Sequence, residues 1–370
     1  MRAKHSKPNK LALRVLSAAA VMAMVTSIAA PAFADAYGIA TYGNYYLDQG
    51  SITVTAKEDG VHHVTMVNKA GETVVDKDDK DGWVAIMGHE DKNDKSAVSN
   101  TVTVNVEDKR TANVTIKDAT IETKGAKIDP TKPSGADEDL NNYKNGITVK
   151  TNGENATANI TLDNVTVDTR REKDPDFDDP YGGAGMAVTG KGTTSIELNG
   201  NNTLTGGVEH AGLEKVNSDC DSKGKNEGHL IIKDDYDDKG NLKSDEQKKA
   251  EWETGAGAGS LTANGGVGGA GIGSIDGEST SNIKITGGKI TAVGGTLGDG
   301  AGIGGGQFGD AENIEITGGN IKAVGDTSGA GIGSGEEGTA SIKISGGKVE
   351  AIGGISGAGI GGGEKSADTT

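Results

Sequence analysis

The chain has 370 residues, with 54 acidic against 37 basic side chains and a formal net charge of −17 at pH 7. That balance excludes nucleic-acid or anionic-membrane binding by electrostatics, and it keeps an exported chain soluble. One cysteine, Cys220, excludes an intramolecular disulfide; 61 glycines without a three-residue period exclude collagen; and 3% aromatics exclude a core built on large rings.

The N-terminus reads as a secretory signal. Arg2, Lys4, Lys7, Lys10 and Arg14 precede an apolar stretch, which ends at Pro31-Ala32-Phe33-Ala34 with small residues where a signal peptidase reads. Residues 1–34 are therefore set aside, with Ala36 as an alternative cleavage point. The stretch is short and alanine-rich for a membrane span, so no membrane insertion is expected after signal removal.

Residues 37–110 are expected to form an N-terminal cap and the first coils, because an open coil end exposes unpaired backbone and an apolar interior. Strands are expected at Ser51-Ile52-Thr53-Val54-Thr55, His63-Val64-Thr65-Met66 and Thr101-Val102-Thr103-Val104. Residues 111–370 read as stacked coils with polar insertions near 125–145, 168–182, 214–227 and 234–257.

A repeat defines those coils. Gly269-Ala270-Gly271-Ile272-Gly273 returns from Gly300, from Gly329 and from Gly357, at spacings of 31, 29 and 28 residues. Between signatures, Ile283-Lys284-Ile285 and Ile290-Thr291-Ala292 alternate with a period of two, the sign of a strand with one buried face. Each period thus holds three short segments separated by glycine, which describes a three-sided parallel solenoid. Ile272, Ile303, Ile332 and Ile360 should stack as one ladder, and Ile283, Ile314 and Ile342 as another. Gly183-Ala184-Gly185-Met186 and His210-Ala211-Gly212-Leu213 are degenerate upstream copies. A phosphate-binding loop would need a helix after its glycines, and none is indicated here. The chain stops at Thr370 just after a signature, which leads us to expect a fragment of a longer surface protein.

The rhythm of residues 158–167 (ANITLDNVTV), 183–188 (GAGMAV) and 195–206 (SIELNGNNTLTG), with the repeated signature, resembles the clostridial-type carbohydrate-binding β-helix family over residues 50–370. The resemblance implies a pectate-lyase-like fold, an all-β right-handed parallel β-helix. It also implies an exported bacterial protein, secreted or at the cell surface, with polysaccharide or cell-wall glycan as partner and calcium as cofactor. It transfers no binding residue position by position.

The residues themselves offer few candidates. Asp174, Asp176, Asp178 and Asp179 cluster before Gly182 and would suit a hard cation. Asp235, Asp237 and Glu246 follow the spacing of a calcium loop, although Lys239 stands where an oxygen ligand belongs and no flanking helix is evident. Asp76 to Gly82 carries a similar run. Each run also reads as a solvated acidic loop, the commoner outcome for such charge runs. Tyr181 and Trp252 are the aromatics placed to line a sugar site, and packing of an insertion against the body is the competing role. A polar solenoid face could instead bind a polymer by hydrogen bonds. Arg170 and Arg171 beside the Asp cluster are the one arrangement suggestive of a lyase, and His62, His63, His89, His210 and His229 have no metal-ligand spacing. The expectation is a non-catalytic polysaccharide-binding protein. The alternatives are a structural stalk or adhesin segment and a calcium-dependent polysaccharide lyase.

Overall fold

The computed structural model describes residues 44–123, 144–170, 182–217, 227–237, 239–296 and 298–366. Residues 1–34, the Asp174–Asp179 cluster, Tyr181 and Arg171 lie outside these residues.

Among the described residues, three sheets of eleven, nine and seven strands wrap one apolar interior. We call them the signature sheet, the isoleucine sheet and the threonine sheet. Successive turns visit them in that order: Ile272–Gly273 lies in the signature sheet, Thr280–Ile285 in the isoleucine sheet and Lys289–Gly295 in the threonine sheet. Each strand pairs in parallel with its copy one coil later, which defines a three-sided right-handed parallel β-helix.

Register follows the apolar pattern, because a slip of one residue would turn every core side chain outward. Along the signature sheet Ile52, Val102, Ile147, Met186, Leu213, Ile272, Ile303, Ile332 and Ile360 stack in a single ladder. All but Ile360 are essentially inaccessible to solvent. Ile283, Ile314 and Ile342 form a ladder in the isoleucine sheet, as the repeat requires. The degenerate copies at Met186 and Leu213 keep the same register because only the apolar inward side chain and the small residues before it matter.

The final glycine of the signature shows why the motif tolerates no substitute. Gly273, Gly304, Gly333 and Gly361 have φ between 129° and 145°. A Cβ on Gly273 would come within 1.8 Å of the Gly304 carbonyl oxygen one coil later. Both the torsion and the close stacking demand the missing side chain.

The parallel pairing begins earlier than residue 111. Asn44–Tyr46 pairs with Val84–Met87, and Ser51–Glu58 pairs with Val102–Val106. Val61–Val67 and Thr73–Asp79 then continue the signature sheet in antiparallel order, so a meander ends that sheet. Its run Asp76 to Gly82 lies within and just after the outermost strand, where His63 contacts Asp76 and Asp78 at 3.2 and 2.9 Å.

A helix, α1 (Asp245–Thr254), stands inside the last insertion, where the spacing indicated none. Ser244 and Gln247 form a reciprocal capping box, Asp245 and Glu246 occupy the first turn, and Gly255 closes the helix in the left-handed conformation. The signal was present as Ser-Asp-Glu-Gln, but an apolar stripe was not: α1 has no fully buried residue. Tertiary anchors at its ends hold it instead.

Candidate functional site

Two surfaces carry chemistry beyond the repeat. The first is the outer face of the threonine sheet. Here Thr120, Thr166, Thr203, Thr262 and Thr291 occupy one outward column in successive coils, followed by Lys322 and Glu350. The column alternates with buried Ile121, Val167, Leu204, Leu261, Ala263, Ile290 and Ala292, so the hydroxyls face out because the core residues face in. Thr166 is exposed and the other four threonines are half-buried. The flanking columns are polar too: Asn201, Ser260, Lys289, Asn320 and Lys348 on one side, and Glu122, Asp168, Thr205 and Asn264 on the other. Strand spacing sets the hydroxyls about 4.8 Å apart along the solenoid axis.

The second surface is the insertion that follows the strand His229–Lys233. Glu197 breaks an outward column that reads Thr115, Thr161, Glu197, Lys233. The insertion folds over it, leaving it 4% exposed. Its Oε1 accepts hydrogen bonds from the backbone N–H groups of Asp235 (2.6 Å) and Tyr236 (3.1 Å). Lys233 Nζ lies 3.5 Å from its Oε2. Burial pushes the Glu197 carboxyl up to about 7 although Lys233 pulls the other way. Burial likewise opposes the charge on Lys233, but Glu197 and Asp235 outweigh it and hold the ammonium above its ordinary value.

Next to this, Asp234, Lys243 and Glu251 form a buried group at the neck of the insertion. Lys243 Nζ lies 2.8 Å from both carboxylate oxygens of Asp234 and 3.0 Å from Glu251 Oε2. The side chains of Asp234 and Lys243 are each 2% exposed. Burial pushes the Asp234 carboxyl up to about 6 against the pull of Lys243.

The structure separates the carboxylates that the sequence spacing grouped. Asp235 is held by Lys248 at 2.6 Å and Lys233 at 3.2 Å. Burial alone would raise its pKa, but the two lysines hold it below the carboxylate range. Asp237 closes its own turn by accepting from the backbone of Lys239 and Asn241. Glu246 sits in the first turn of α1. Among the described residues no three His, Cys, Asp or Glu side chains form a group suited to a metal ion. Asp235 is thus engaged by lysines and Glu246 by the first turn of α1.

Trp252 lies on the corner between the isoleucine and threonine sheets, over Gly318, where an added Cβ would approach its ring to 2.4 Å. It packs α1 to the solenoid against the Gly318 backbone. Arg170 is engaged by Asp168 at 2.6 Å, which ties that cation to the sheet edge. Glu197, Asp234, Lys243 and Glu251 were not singled out from sequence. The one available signal was the charged residue Glu197 in a column of threonines.

This architecture defines a class, the three-sided parallel β-helices. A β-helix repeat family model matches residues 283–307, 314–336 and 342–364, the filler strands and signatures of the regular coils. No curated protein and no solved structure matches the chain.

Proposed function

We propose that this is an exported, non-catalytic β-helix protein, secreted or displayed on a bacterial surface, that binds polysaccharide along the outer face of the threonine sheet. The observation that carries the proposal is the column Thr120, Thr166, Thr203, Thr262 and Thr291, held in register by the core ladder beneath it. A hydroxyl both donates and accepts, as sugar hydroxyls do, and a rigid row of them at regular spacing loses little entropy when a chain lies along it. Neighbouring Asn and Ser side chains widen the polar strip. The resemblance to clostridial-type carbohydrate-binding β-helices supports the same reading, as does the N-terminal signal for export.

Neutral or basic glycans suit the acidic chain better than polyuronates. A panel of insoluble plant and cell-wall polysaccharides in pull-down tests the proposal. Binding should weaken at least tenfold in the double variant Thr203→Glu, Thr262→Glu, with the fold unchanged by circular dichroism. Absence of binding to every glycan would favour the second reading, a passive stalk. That reading has its own support in the unbroken ladder from Ile52 to Ile360.

A further inference from the structure

The buried group at the neck of the insertion has the parts of an acyl-transfer site, with nucleophile, electrophile and base all supplied by the protein itself. Lys243 Nζ sits 2.8 Å from both oxygens of Asp234. Equal distances to the two oxygens place it roughly 3 Å from the carboxyl carbon, the separation of a near-attack conformer. Glu251 Oε2 lies 3.0 Å from the same nitrogen, positioned to take a proton from it. The backbone N–H of Gly259 points at Asp234 Oδ2 at 3.2 Å, where an oxyanion would develop on attack. Leu198 and the glycine corner at Gly287 and Gly288 close over this group, and Lys243 and Asp234 are both 2% exposed.

We propose that Lys243 and Asp234 condense spontaneously into an intramolecular isopeptide bond, with Glu251 as the proton shuttle. Burial opposes the Lys243 ammonium, but Asp234 and Glu251 outweigh it and hold the group above its ordinary value. Glu251 takes a proton from the ammonium and hands it to Asp234 Oδ1, so the neutral amine and protonated carboxyl form as the minor, reactive state. The nitrogen lone pair attacks Asp234 Cγ, forming the C–N bond. The negative charge develops on Oδ2 under the Gly259 N–H. Glu251 takes the remaining surplus proton from nitrogen and returns it to the leaving Oδ1 hydroxyl. The C–O bond breaks, one water departs, and Glu251 is again a carboxylate. No oxidant, metal or second substrate enters. Burial, which pushes the Asp234 carboxyl up to about 6, favours the acid form that the step consumes.

The placement gives the bond a purpose. Asp234 follows the strand His229–Lys233, Lys243 precedes α1, Glu251 lies in α1, and Gly259 precedes the strand Ser260–Val267. An amide between the first two would fix the neck of the insertion to the coil covalently. A chain with one cysteine has no disulfide to do so.

The test is peptide mass spectrometry on the purified full chain, denatured before digestion with trypsin. The expected product is a branched peptide joining Asp234–Lys239 to Gly240–Lys248, lighter than the sum of its parts by one water, with no cleavage after Lys243. Lys243→Arg should give only linear peptides, and Glu251→Gln should reduce the branched product at least tenfold. A wild-type digest containing linear Gly240–Lys243 and no branched peptide would overturn the proposal. Equal cross-linking in the Glu251→Gln chain would overturn the role of Glu251. The wild-type readout needs no variant, and the role of Glu251 is read only on a Glu251→Gln chain whose circular dichroism matches the wild type.

Discussion

Trp252 and Gly318 meet across a corner of the solenoid so closely that no side chain fits between ring and backbone. At the same end of α1, Asn320 Nδ2 donates to the Trp252 carbonyl at 2.7 Å and Lys348 Nζ donates to the Glu253 carbonyl at 3.0 Å. The last turn of a helix leaves such carbonyls without partners, and here two successive coils contribute the ring's seat and both donors. Helix α1 is thus an axial strap, with Asp234 and Lys243 fastening it at the neck.

Trp252→Ala should therefore release the strap and leave the coils intact. The expected local cost is about 1–2 kcal/mol, from lost apolar contact of a half-buried ring. Amide exchange in 245–254 should accelerate about tenfold or more, while the thermal midpoint of the β-helix stays within a few degrees. A large fall in that midpoint would show that the insertion belongs to the core.

The repeat made the coils legible because a β-helix writes its register into the sequence. Ile303 can stack on Ile272 only if the residues between them add up to one turn, and glycine marks each bend. The upstream coils were readable for the same reason, although Met186 and Leu213 replaced isoleucine. Helix α1 escaped because it lacks an apolar stripe; its stability comes from contacts with Gly318, Asn320 and Lys348, far away in sequence. The Asp234–Lys243–Glu251 group was hidden likewise, since acidic and basic residues in a polar insertion look solvated until the fold buries them. Spacing alone also grouped Asp235, Asp237 and Glu246, which the lysines and the helix keep apart.

Glu197 predicts a pH dependence. Its pKa rises from 4.5 to about 7 in the fold, mainly through burial. A carboxyl with a raised folded pKa gives stability that is complete below the unfolded value and is lost as pH rises through the folded value. The packing of the insertion over Glu197 should therefore weaken between about pH 4.5 and 7, by about 3 kcal/mol at most, and level off above. Asp234 acts in the same sense up to about 6, unless it is consumed in the amide. Glu197→Gln should flatten the slope near neutrality. Urea unfolding at a series of pH values, followed by Trp252 fluorescence, reads it; an unchanged slope in the variant would contradict the assignment.

Ile303 tests the ladder. It is fully buried and stacked between Ile272 and Ile332. Ile303→Ala should cost about 2–5 kcal/mol in denaturant unfolding. Ile355, 92% exposed, should tolerate alanine with a change within about 0.5 kcal/mol. Similar losses at the two positions would contradict the assigned inward and outward faces.

The threonine column makes a claim about ligand length. A polymer lying along the solenoid axis meets a new coil with each strand spacing, so added sugars should add contacts until the column from Thr120 to Thr291 is covered. A pocket at one insertion would be filled by one or two sugars. Calorimetric titration with an oligosaccharide series from the best-binding polysaccharide separates these cases most directly. We predict Kd falling steadily up to about six sugars, with the gain abolished by Thr203→Glu, Thr262→Glu. Affinity that saturates at a disaccharide, or is indifferent to those substitutions, would contradict binding along the face.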